Sequence, residues 1–218
     1  MIEINNVCIS INDKEIVKDI SFIVSKGEKV VIYGKSGSGK SSLFKSMVGI
    51  LKIDKGTISI NGLILNDKNI GEIHNHICYM PQTISAFYDE SVLDFIYFPF
   101  SFKSNKSLNP DKKEILDLFD KLSLKEDLWE QKISTLSGGE RQRVALLRGV
   151  LLKREVFLLD EITSSIDKDT SKTIVKFFME NRDITVISIS HDKEWVEFAD
   201  SYYQMIDGQL IKEAVHDQ

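Results

Sequence analysis

Apolar positions along this chain change their spacing twice. Up to about residue 60 they fall in short runs rich in Ile and Val: Ile2–Ile11, Ile16–Val24, Lys29–Tyr33 and Thr57–Ile60. Asn-Asp, Lys-Gly and Asn-Gly pairs break these runs, a pattern that predicts β-strands separated by tight turns. Lys40–Leu51 predicts a helix, and Ile77–Met80 a further short strand. From Ser91 the spacing becomes helical, in Val92–Tyr97, in Asp111–Leu122 (apolar at 115, 116, 118, 119 and 122) and in Gly138–Leu152. Val156–Asp160 is a continuous apolar run of the buried-strand type. Beyond it the chain alternates: helix 168–181, strand Thr185–Ile189, helix 192–199, strand Tyr202–Ile206. Strands alternating with helices predict an α/β fold built on a parallel sheet. Residues 85–152 read as a helical insertion into that sheet, and Asn105–Lys113, polar and holding a proline, as a surface loop.

Composition narrows the class without changing this outline. A chain of 218 residues makes one domain, or one domain with a subdomain. Its 42% hydrophobic and 28% charged content is that of an ordinary globular protein. A formal net charge of −5 disfavours non-specific binding to nucleic acid. Cys8 and Cys78 form no CxxC pair, so the expectation is a reducing compartment without a disulfide framework. No apolar run approaches the ~18 residues that a bilayer span needs, and "MIEINNVCIS" has no secretory pattern. The expectation is therefore a cytoplasmic protein, at a membrane only if a partner holds it there. His74 and His76 in "EIHNHI" lack an evident third ligand and are not read as a metal site.

Chemistry enters with Gly34–Ser41, "GKSGSGKS", which fits G-x-x-x-x-G-K-[ST] between a strand, "KVVIY", and a helix, "SSLFKSMVGIL". The glycines Gly34, Gly37 and Gly39 let backbone N–H groups close around phosphates, with Lys35, Ser36 and Ser38 between them. The helix N-terminus at Lys40, Ser41 and Ser42 adds its partial positive charge. Lys40 is expected at the β- and γ-phosphates, and the Ser41 hydroxyl on Mg²⁺. "VFLLDE" then delivers Asp160 to the carboxyl end of a buried strand, where ligands bind in such sheets. Asp160 suits Mg²⁺, and Glu161 suits a general base or a positioner of the attacking water. A second glycine loop, "TLSGGERQR" at Thr135–Arg143, also looks built for phosphate.

With that second loop, the chain resembles the ATP-binding subunits of ABC transporters over essentially its whole length. The motifs that carry the resemblance are the phosphate loop, Gln82 in "YMPQT", the signature Leu136–Glu140, the Asp160–Glu161 pair, "SSID" at 164–167 and His191 in "ISISHD". The resemblance implies a P-loop NTPase (RecA-like) parallel core, an N-terminal antiparallel β-subdomain and an inserted α-helical subdomain, all in one ATPase domain. It implies ATP and Mg²⁺ as ligands, with Gln82 sensing metal and water, Asp167 in the D-loop and His191 at the γ-phosphate. It also explains the second loop. Two copies pack head to tail, so that Ser137, Gly138, Gly139 and Glu140 serve the partner's nucleotide, Ser137 through its hydroxyl. Arg141 and Arg143 are expected on the solvated face of the signature helix.

Two departures from the family pattern stand out. The position that often carries an adenine-stacking aromatic is Ile11 here, and Ile162 follows the catalytic glutamate where proline is usual. "DEITS" and "YFPF" are similar to the iron-export, Fet-type group, which implies a separate membrane subunit and cargo chosen there. The stretch 86–102 has seven aromatics in 17 residues, more than an insertion of this size needs for its own core. The excess suggests a groove for an integral-membrane partner helix, with Phe87, Tyr88, Phe98 and Phe100 as its lining. The competing class is a non-transport ABC ATPase acting on nucleic acid or ribosomes. It would need a long coiled-coil insertion or a second phosphate loop, and neither is present in the sequence.

Overall fold

The computed structural model describes residues 1–83 and 89–213. In chain order its strands are β1 Ile2–Ile11, β2 Lys14–Val24, β3 Lys29–Tyr33, β4 Lys55–Ile60, β5 Leu63–Ile64, β6 Ile77–Met80, β7 Val156–Asp160, β8 Thr185–Ile189, β9 Ser201–Ile206 and β10 Gln209–Glu213. Its α-helices are α1 Lys40–Met47, α2 Ile70–Ile73, α3 Val92–Tyr97, α4 Lys112–Lys121, α5 Gly138–Leu151, α6 Lys168–Met179 and α7 Lys193–Glu197. The chain divides into two compact units. One comprises Met1–Tyr79, Glu155–Asp160 and Phe178–Gln218; the other comprises Met80–Arg154 and Glu161–Phe177.

The first unit holds two sheets. Four strands in the order β2-β1-β4-β5 form an antiparallel sheet, and six form a second in the order β10-β9-β3-β8-β7-β6. Strand β3 runs parallel to both β8 and β9, and β7 parallel to β8, as the helix–strand alternation predicts. Every residue of β7 and β8 is buried, the pattern of strands covered on both faces. In β1 the inward residues change phase, Ile2 and Ile4 before the break and Val7 and Ile9 after it. The break is a register shift between Ile4 and Val7 that includes Asn6 at φ 48°; a second shift, between Val7 and Ile9, takes in Asp19 of β2 at φ 51°. Asn6 Nδ2 donates to Asp19 Oδ1 across the gap at 2.8 Å. Without this paired bulge a strict alternation would turn half of β1 outward. One apolar cluster joins Ile2, Ile4, Val30, Phe44, Leu158 and Ile187. Lys29 is fully buried in this unit, and its ammonium donates to the Asn181 and Ile184 carbonyls at 2.6 Å each.

The second unit is helical, and side-chain caps start its helices. Ser91 accepts from the Asp94 N–H at α3, and Asp111 from the Glu114 N–H at α4. The Arg148 guanidinium of α5 lies 3.7 Å from the Phe95 ring centre of α3. The stretch read as a surface loop is only partly one. Asn105 is buried and accepts from Arg154 Nη2 at 2.6 Å while its own amide donates to the Pro99 carbonyl. The aromatic stretch also separates into two classes. Phe95 and Phe100 are core, whereas Phe98 and Phe102 are exposed and pack edge to face at 5.3 Å. Phe100 therefore cannot line a surface groove, and Phe87 and Tyr88 lie outside the described residues.

Candidate active site

In the first unit, β3 runs into the phosphate loop and α1 leaves it. Gly39 caps α1 with φ 110°, and a Cβ there would lie 2.8 Å from the Ile16 carbonyl oxygen of β2 and 2.9 Å from Met205 Cε. The position therefore demands glycine twice, for its backbone angle and for the close approach of β2. Lys40 is buried, and its ammonium sits within the curve of the loop, donating to the carbonyls of Gly34 at 2.6 Å and Lys35 at 3.0 Å. Lys35, Ser36 and Gly37 face solvent, while the Ser38 hydroxyl is buried without a hydrogen-bond partner. Ser41 is exposed and Ser42 half-buried on the first turn of α1.

Asp160 ends β7 at 4% exposure, and Tyr79 Oη, from the end of β6, donates to its Oδ2 at 3.4 Å. Burial, then the Asp160 charge, pushes the Tyr79 phenol well above its ordinary range, so Tyr79 stays a donor. Mg²⁺ takes hard oxygen ligands, one or two carboxylates plus substrate phosphates and water. A buried carboxylate at Asp160 and a hydroxyl at Ser41 fit that set. Among the described residues there is no group of three or more His, Cys, Asp or Glu that could hold a metal by itself. His74 instead pairs through Nε2 with the Val48 carbonyl at 3.0 Å, and His76 lies beside Glu155. Ile11 sits at the tip of the β1–β2 hairpin, paired with Lys14 and 38% exposed. His191 follows β8 and is exposed.

In the second unit, Glu161 adopts φ 49°, a left-handed conformation uncommon outside glycine. Gln82 Nε2 donates to Glu161 Oε2 at 2.6 Å, so two residues 79 apart in sequence meet. The turn continues through Ser164 N–H to the Glu161 carbonyl and Ile166 N–H to the Thr163 carbonyl. It ends at Asp167, whose carboxylate accepts the Thr170 N–H at 3.0 Å at the start of α6. That bond leads the causes holding the Asp167 carboxyl below its usual range.

Ser137 caps α5 in a closed capping box. Its Oγ accepts the Glu140 N–H at 3.2 Å and donates to Glu140 Oε2 at 2.7 Å, and the same carboxylate takes the Ser137 N–H at 2.9 Å. The Ser137 hydroxyl, followed by its N–H, depresses the Glu140 pKa. The hydroxyl expected to serve a partner's phosphate is thus turned to Glu140. A Cβ on Gly139 would lie 3.1 Å from the Ser165 carbonyl oxygen, so this glycine packs directly on the D-loop. Arg141 and Arg143 are half-buried rather than solvated, and the Arg143 charge acts on both Glu140 and Asp167.

Comparison with known proteins decides the family. Residues 17–164 match the model described as ABC transporter, a span that takes in the phosphate loop, Gln82, the signature and the Asp160–Glu161 pair. The chain belongs to the ABC transporter family. It is an ATP-binding subunit of that family, an ATPase. It is 33% identical over 207 residues to the energy-coupling factor transporter ATP-binding protein EcfA1 of Mycoplasma pneumoniae, covering 94% of this chain and 75% of that one. It is 30% identical to the "Probable iron export ATP-binding protein FetA" of Escherichia coli over 92% of this chain and 88% of the relative. Among solved ABC structures, cbiO1 of Clostridium perfringens, part of the transporter complex cbiONQ, superposes with a TM-score of 0.80 at 25% identity, covering 96% and 86% of the two chains. A dimeric cassette in a post-hydrolysis state with ADP and Pi matches in fold, with a TM-score of 0.87 at 23% identity over the whole of both chains.

Three tyrosines near these ABC motifs escaped the sequence reading: Tyr33, Tyr79 and Tyr202. Tyr79 was within reach, because it precedes "MPQ" at the end of a strand that must border β7. Nothing local marks the other two.

Proposed function

We propose that this chain acts as one half of a head-to-tail pair, with ATP bound between the phosphate loop of one copy and the signature loop of the other, and that it drives a separate integral-membrane subunit. The observation that carries the reading is the Glu161 turn: a carboxylate following the strand-end Asp160, with left-handed backbone, hydrogen-bonded to Gln82. Glu161 orients and deprotonates the attacking water. Gln82 holds that carboxylate and, with Asp160 and Ser41, serves Mg²⁺. When bound, Mg²⁺ neutralises charge on the β- and γ-phosphate oxygens. Lys40 leaves the Gly34 and Lys35 carbonyls for the phosphates, His191 contacts the γ-phosphate, and Asp167 fixes the D-loop. Ser137 turns from Glu140 to the partner's γ-phosphate, with Gly138 and Gly139 leaving its backbone donors accessible.

Among the described residues no helix is long and apolar enough to cross a membrane. The chain then works on the cytoplasmic face, held by its membrane subunit. Iron export is the cargo reading, supported by the FetA likeness together with "DEITS" and "YFPF". Replacing Glu161 with Gln tests the core of the proposal: ATP still binds, turnover falls by roughly 10²-fold or more, and a nucleotide-bound dimer accumulates. Near-normal turnover would remove Glu161 from the role. Purifying the chain with its membrane subunit and following metal efflux from vesicles tests the cargo.

A further inference from the structure

Tyr33 is the last residue of β3 and directly precedes Gly34. Its ring stacks on Tyr202 of β9, with centroids 4.5 Å apart and planes 11° from parallel. Its hydroxyl donates to Glu213 Oε1 of β10 at 2.7 Å. Tyr202 and Glu213 are themselves direct cross-strand partners in the β9–β10 ladder. The His191 ring stands at 84° to the Tyr33 ring, 6.5 Å between centroids, within the range favoured by perpendicular ring pairs.

These contacts do different work. The stack prevents the Tyr33 ring from turning, and the hydroxyl bond holds its far end. Burial, followed by the hydrogen bond to Glu213, pushes the phenol well above its ordinary range, so it remains a donor. His191, by contrast, is exposed on the segment after β8. An exposed imidazole there samples several staggered rotamers unless something selects one, and a group that contacts a reacting phosphate must be held to within about half an ångström.

We propose that Tyr33 is a positioning residue for His191: its ring, locked by Tyr202 and Glu213, is the wall that selects the imidazole rotamer. Because Tyr33 adjoins Gly34, the wall and the phosphate loop share one backbone, so loop and histidine keep a common reference. The proposal rests on the reading of His191 as the γ-phosphate contact.

The test uses the full chain with ATP and Mg²⁺. Tyr33→Leu removes the ring and is expected to lower kcat about tenfold, with the ATP dissociation constant within about threefold of the parent. Tyr33→Phe keeps the stack and should retain most of the turnover. In spectra of histidine-labelled protein, the His191 side-chain resonances shift and broaden in Tyr33→Leu and stay near the parent in Tyr33→Phe. In a His191→Ala background, Tyr33→Leu should cost nothing more. Unchanged His191 resonances in Tyr33→Leu, or additive losses in the double variant, overturn the positioning role. If His191→Ala alone turns over normally, the γ-phosphate reading of His191 fails, and the resonance measurement still decides whether Tyr33 holds the ring.

Discussion

Replacing Glu140 with Gln should move stability and dimerisation in opposite directions. Glutamine has the same length, keeps an accepting oxygen, and satisfies the capping-box spacing as well as glutamate does. What it removes is charge. Glu140 sits in the first turn of α5 and takes two bonds from Ser137 at 2.7 and 2.9 Å. A carboxylate at a helix N-terminus contributes about 0.3–1 kcal/mol, less where water screens it. We expect a loss of about 0.5 kcal/mol, or about 1–2 °C in melting temperature for a chain of this size. The pH dependence follows from the depressed Glu140 pKa. A folded value below the unfolded one means that the stabilisation is complete above the unfolded value of about 4.3 and disappears as pH falls through the folded one. The gap between parent and variant should therefore be full at neutral pH and narrow in acid. ATP-driven pairing should instead improve. A neutral amide is a weaker acceptor, so the Ser137 hydroxyl turns to a phosphate at lower cost. Removing one negative charge roughly 6 Å from a phosphate at each of the two sites is worth about 0.7 kcal/mol per site in a water-like dielectric, or about tenfold in dimer affinity, less at high salt. Melting curves across pH and sedimentation of the dimer, with turnover blocked by Glu161→Gln in both chains, measure the two effects. A stability gap that persists unchanged in acid, or dimerisation that weakens together with stability, would refute this account of the capping box.

Mixing a Lys40→Ala chain with a Ser137→Arg chain, each inactive alone, should restore some turnover, since the mixed pair has one site with both lesions and one with none. If neither variant loses activity alone, the shared site is excluded. Ile11 offers no ring to the base, and aromatic stacking is worth about 1–3 kcal/mol per base where it occurs. ATP and GTP should therefore bind within about tenfold of each other, and Ile11→Tyr should tighten ATP; strong ATP preference in the parent would point to another adenine contact. Phe98, 42% exposed, should tolerate serine without loss of melting temperature or ATP binding. The same change should weaken capture of the membrane subunit by about tenfold or more, as losing a buried aromatic anchor does; a destabilised variant that still binds the subunit would place Phe98 in the core.

Legibility in the sequence followed burial. β3, β6, β7 and β8 lie where the apolar runs put them, because a strand covered on both faces writes an unbroken run. β10 was missed because Gln209–Glu213 is a half-polar edge with Ile211 facing out. Leu63–Ile64 is too short to show a period at all. The bulge at Asn6 depends on Asp19, and the burial of Asn105 on Arg154, 49 residues away. Such pairings have no local signature. The phosphate loop, Asp160, Glu161 and the signature were legible because each chemistry needs fixed residues at fixed spacing. Ser137's bond to Glu140 was legible only as a capping pattern, and Tyr33 not at all, since its hydroxyl partner is 180 residues away.

The contact between Gly139 and the Ser165 carbonyl has a consequence for anyone mutating the signature. One side of that glycine is the side proposed to serve a partner's nucleotide; the other rests on the turn that begins at the chain's own Glu161. A side chain added there meets the D-loop as well as whatever lies outside: its Cβ would come within 3.1 Å of the Ser165 carbonyl oxygen, so the D-loop must give by a few tenths of an ångström. In the proposed head-to-tail pair, the two reaction chambers would then share a mechanical part, and an event at one would reach the other through packed backbone rather than through any diffusing signal.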